Sequence, residues 1–224
     1  MSCNTLAVIN TLAAYENVLQ LIGAFVSFSI AYVSYRGLKE TQSPTLLRLA
    51  TAFFFLGFGF VIEGLVGFGE NAFVPELAAF TATLFLAGLL LETTGYFFLA
   101  FSHVIDVLIS KRIGMALLLF PVITVSGAQF SDILRLLSFY FVLYGVVETL
   151  YAYARNRKPD TLLIASGLGL IAGGTLTEWL SLLNPGVNVL SLVQIIMKEV
   201  GLLILFVPVI NFTFGRKEKW NGPV

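Results

Sequence analysis

The chain has 224 residues, of which 58% are hydrophobic and 12% charged, about half the charged share of a soluble domain. With 21 Phe and a mean hydropathy of +0.91, it carries more apolar surface than a soluble fold of this size can cover. Its 13 basic and 13 acidic residues balance and are sorted along the chain, leaving no basic face for nucleic acid. The single Cys3 excludes an internal disulfide and a thiolate metal cluster.

A bilayer-spanning helix needs roughly 20 mostly apolar residues, and the sequence predicts seven of them. The fold class expected is therefore an all-α integral membrane protein, one seven-helix transmembrane domain over residues 1–224. Residues 1–16 form a polar lead without Lys or Arg, and no basic segment precedes an apolar run as in a cleavable signal. The first span, about 17–35, serves as the insertion signal and ends in Arg36 and Lys39. Ser43-Pro44 breaks the helix, because proline restricts the residue before it.

The second span follows from Thr45 to about Phe68, and the third from about Glu76 to Ser102. His103, Asp106, Lys111 and Arg112 form a polar interruption, and a short fourth span covers about 113–129 with Pro121 near its middle. Neighbouring helices can satisfy the carbonyl that such a proline frees. The fifth span, about 133–154, ends in Arg155, Asn156, Arg157, Lys158 and Pro159. The sixth runs from Thr161 to about Leu183, before the turn Asn184-Pro185-Gly186. The seventh covers about 189–214 and leads into Arg216, Lys217 and Lys219.

With seven spans, eleven basic residues from Arg36 to Lys219 fall on one face, only Arg135 falls on the other, and Lys198 lies within the seventh span. The positive-inside rule then places the N-terminus outside and the C-terminus in the cytoplasm of a multi-pass cell-membrane protein. Trp179 and Trp220 suit outer and inner interfacial belts. Gly57, Gly64 and Gly67 on the second span, and the Gly169/Gly173 pair on the sixth, predict close helix packing, with a homo-oligomer face as the alternative.

Two units, 17–102 and 133–214, share landmarks around the linking segment 113–129. Tyr35 and Tyr151 precede basic residues, Pro44 and Pro159, and the tripeptide Thr-Leu-Leu at 45–47 and 161–163. Each second helix then reaches a glutamate, Glu63 or Glu178, and each third helix another, Glu92 or Glu199. This predicts a parallel 3+1+3 repeat of the kind some transporters use. The half-unit, with its tyrosine, basic residues and Leu-rich helix ending near an acidic residue, resembles uncharacterised multi-pass membrane proteins of archaea. That resemblance implies no activity.

The candidate ion- or substrate-site residues are Glu63, Glu92, Glu148, Glu178, Lys198 and Glu199, each inside an apolar run. Ionisable groups at membrane depth are costly and mark functional sites by default. One ammonium among five carboxylates leaves four that need protons, water or a bound cation. Adjacent helical residues point about 100° apart, so Glu92 or Glu63 is expected to pair with Lys198 in preference to Glu199.

Two functions fit. One is a small proton- or cation-coupled carrier, with a proton, small cation or polar solute as its partner; the other is a non-catalytic membrane subunit or sensor that packs against partner proteins. No catalytic motif is present, and neither a cofactor nor a metal is predicted: His103 alone cannot supply two haem ligands. A lysine in the seventh span resembles the retinal-binding arrangement, but the Arg and Asp pattern of its third helix is missing.

Overall fold

The computed structural model describes residues 3–71, 78–108, 130–183 and 188–220, with side chains described over 14–68, 80–100, 130–181 and 190–211. All the elements among them are helices: α1 (Cys3–Thr41), α2 (Pro44–Asn71), α3 (Ala78–Leu108), α4 (Phe130–Asn156), α5 (Pro159–Leu183) and α6 (Asn188–Trp220). Each contains a stretch long and apolar enough to cross a membrane. Helix suits such a chain, since it satisfies every backbone polar group without water. The predicted spans one, two, three, five, six and seven correspond to α1–α6; the predicted fourth span, 113–129, lies outside the described residues.

The joints show how local sequence ends and restarts a helix. Gln42 (φ 53°) and Arg157 (φ 50°) adopt the left-handed conformation after α1 and α4. The N–H of Gln42 donates to Leu38 C=O, and that of Arg157 to Tyr153 C=O, both at 2.7 Å, satisfying a carbonyl at each helix end. One residue later the carbonyls of Ser43 and Lys158 each accept from the next helix. Pro44 and Pro159 open α2 and α5, where a missing N–H costs nothing.

The six helices form a closed ring in chain order, with α6 returning to pack on α1. α1 and α2 are antiparallel, since Gly57 meets Phe28 while Gly64 meets Leu21. α3 and α4 are parallel: Thr93 bonds Ser138 at 2.9 Å, and the Phe97 and Phe141 rings meet at 5.4 Å. α6 and α1 are parallel too, with Ser191 donating to Glu16 and Glu199 lying against Gly23.

Two helix pairs cross at glycine. A Cβ on Gly59 would lie 3.1 Å from both Glu92 N and Gly88 O, and one on Gly95 would lie 2.9 Å from Ala52 O. In the other pair, a Cβ on Gly174 would lie 2.7 Å from Gln194 O and 3.2 Å from Lys198 N, and one on Gly201 2.6 Å from Gly167 O. The expectation for α5 holds for Gly173, where a Cβ would run into Met197 Cε, and needs correction for Gly169, where a Cβ meets nothing within 4 Å; the backbones approach through Gly167 and Gly174.

The ring is divided along its length. The apolar core, including Ile30, Phe53, Leu56, Leu99, Leu168 and Leu205, fills the half toward the α1–α2 and α4–α5 joints. Its outer surface is apolar as well, with Phe25, Leu65 and Phe80 each more than half exposed. The buried charges gather in the opposite half.

Candidate functional site

Every helix contributes to this polar half because each places its charged or amide residue on the same side of the apolar core. Gln20 precedes the core residues of α1, and Glu63 follows those of α2; the same order holds in α4 with Arg135 and in α5 with Glu178. Antiparallel neighbours therefore bring these positions to one level.

Lys198 is the hub. Its Nζ donates to Glu92 Oε1 at 2.8 Å and to Glu178 Oε2 at 2.6 Å, and its side chain is only 7% exposed. Glu92 Oε1 accepts a second bond from Tyr96 Oη at 2.8 Å, one turn along α3. The other oxygen of Glu178 lies 3.0 Å from Arg135 Nε, off the line of a hydrogen bond. The Arg135 guanidinium also sits 5.5 Å from the centre of the Phe85 ring, within cation–π range. Charges removed from water need such multiple partners.

Glu63 is held more loosely, by Gln20 Nε2 at 3.4 Å from its Oε2. Its Oε1 has no hydrogen-bond partner, and neither do Glu199 Oε2 and Gln194 Oε1. All three side chains line one cavity of about 80 Å³, together with Gln20, Arg135 and Lys198. That volume suits a few waters or a small solute. Pockets for drug-sized ligands run to roughly 300–1,000 Å³, so a chromophore on Lys198 has no room here.

The fold thus brings together Glu63, Glu92, Glu178, Lys198 and Glu199. Glu148 stands apart, half-buried, and accepts from Tyr144 Oη at 3.1 Å. Lys198 pairs with Glu92, one of the two glutamates expected, and also with Glu178, which that argument did not include. Arg135 read from sequence as a boundary charge; its isolation from the other basic residues was the available signal. Tyr96 was signalled by its i+4 spacing from Glu92. Gln20 and Gln194 carry no signal beyond being amides in apolar runs. Trp179 is half-buried; the side chains of His103 and Trp220 lie outside the described ones.

Six helices apolar enough to cross a bilayer, with paired and unpaired charges enclosed between them, define a class: a polytopic helical membrane protein with a buried polar site. Comparison with family models, curated proteins and solved structures gives no match.

Proposed function

We propose that this chain is a small proton- or cation-coupled carrier of the cell membrane, built from two parallel three-helix units. The observation that carries this reading is the trio of unpartnered oxygens, Glu63 Oε1, Glu199 Oε2 and Gln194 Oε1, on side chains that line one cavity of about 80 Å³. A buried acceptor without a donor costs about 1–3 kcal/mol, more when charged. A scaffold gains nothing from three of them, whereas a site that admits a donor-bearing solute uses all three.

Seven spans are supported by the parallel run of α3 and α4, whose connection has to return the chain across the bundle. The 21 residues of 109–129 meet the length that one apolar span requires, roughly 20. Duplication is supported by register. Gln42 and Arg157, Pro44 and Pro159, Ala52 and Gly167, Gly59 and Gly174, and Glu63 and Glu178 all stand a constant 115 positions apart. Gly88 and Gln194, Glu92 and Lys198, and Gly95 and Gly201 stand 106 apart, and each makes the crossing contact of its counterpart. This register is one residue away from the Thr-Leu-Leu match, and it aligns Glu92 with Lys198 instead of Glu199.

With the N-terminus outside, the polar half faces outward and the apolar core closes the cytoplasmic side. Purified protein in liposomes should then show saturable proton- or cation-dependent flux. The double variant Glu63→Gln/Glu199→Gln should lower it by about tenfold or more, the loss of a single good transition-state contact, while the folded state persists. Undiminished flux in that variant would remove the carboxylates from the path.

The second reading, a non-catalytic membrane subunit or sensor, rests on the fact that Lys198 and Arg135 are already engaged by glutamates. It predicts a stoichiometric complex on native purification and no flux from the isolated chain.

A further inference from the structure

The two units differ at the positions where they should be alike, and the difference has the form of a missing cation. In the second unit Glu178 is flanked by Arg135 from α4 and by Lys198 from α6. The constant step of 115 positions puts Gln20 of α1 in the place of Arg135, and Gln20 does bond the counterpart glutamate, Glu63. The step of 106 puts Glu92 in the place of Lys198. Where one glutamate has two cations, the other has an amide and a second carboxylate.

Burial sharpens the contrast. Glu63 is 9% exposed and Glu199 6%; each has one oxygen without a hydrogen-bond partner, and both side chains line the cavity with Gln194. Glu199 reaches this position because Gly23 leaves no side chain in its way. Unpartnered oxygens on side chains that line a cavity call for N–H donors, and the neighbouring unit shows what answers that call: a guanidinium and an ammonium.

We propose that Glu63, Glu199, Gln194 and Gln20 bind a small nitrogen cation of the ammonium, methylammonium or guanidinium class. It supplies beside Glu63 the positive charge that Arg135 supplies beside Glu178. The inference rests on the carrier reading and narrows its substrate. A cation with several N–H donors satisfies oxygens spread around a cavity of about 80 Å³. A bare metal ion needs them converged at about 2.0–2.6 Å, and no group of three or more His, Cys, Asp or Glu among the described residues is placed to do so.

The experiment uses full-length protein in lipid nanodiscs and radiolabelled methylammonium as the probe. Binding should saturate and be displaced by ammonium and guanidinium, but not by equal concentrations of sodium or potassium. Glu63→Gln should weaken it about tenfold or more. Gln20→Arg should supply the missing cation from within, abolishing methylammonium binding while the melting temperature stays at or above that of the parent.

Equal displacement by sodium or potassium would overturn the nitrogen-cation class. Unchanged binding in Glu63→Gln would overturn the site, and that variant decides the matter if Gln20→Arg does not fold. Proton flux in liposomes without methylammonium binding would overturn this inference and leave the carrier reading standing; absence of both would remove both.

Discussion

Lys198 illustrates what one residue can hold together. It joins α6 to α3 through Glu92 and to α5 through Glu178, and both bonds are buried. Removing one partner of a buried pair leaves an uncompensated charge and costs roughly 3–5 kcal/mol in soluble proteins. Lys198→Met should therefore lower the melting temperature in detergent far more than Lys219→Met in the C-terminal tail. Glu92→Gln should recover more of that loss than Glu178→Gln does, because Glu178 keeps the cation Arg135 whereas Glu92 keeps the neutral Tyr96 hydroxyl. Equal melting temperatures for the two lysine variants would show that the bonds to Lys198 do not stabilise the fold.

At the scale of the helix, glycine has opposite meanings a few residues apart. A methyl at Gly201 would meet the Gly167 carbonyl at 2.6 Å, and the obstacle is backbone that cannot rotate away. A methyl at Gly169 meets open space. Gly201→Ala should therefore separate α5 from α6 and destabilise the protein. Gly169→Ala should be neutral or stabilise it by up to about 1 kcal/mol, the intrinsic preference of helix for alanine. Unfolding in graded SDS measures both, and a loss at Gly169 equal to that at Gly201 would contradict the crossing described for these helices.

At the largest scale the six described helices form a ring closed by α6 on α1, with polar residues in one half and an apolar core in the other. Arg36, Lys39, Arg48, Arg155, Arg157 and Lys158 all lie at the apolar end, near the two joints. Orientation and polarity of the interior are thus tied: the face rich in positive charge is the sealed one. Seven spans require the two termini on opposite sides of the membrane. Tags at residues 1 and 224 should show opposite protease accessibility in sealed vesicles, and equal accessibility would mean an even number of crossings.

Class and crude layout follow from composition alone, because a bilayer span is a matter of length and apolarity. The helix joints follow from Pro44 and Pro159, and the polar interior from glutamates that lipid does not tolerate. Which glutamate meets which cation depends on helix rotation and on level across the ring, and apolar helices state neither, since lipid and protein neighbours are equally apolar. Only the packed ring could separate Glu148 from the cluster, join Arg135 to it, and show Glu63 held by an amide where Glu178 holds two cations.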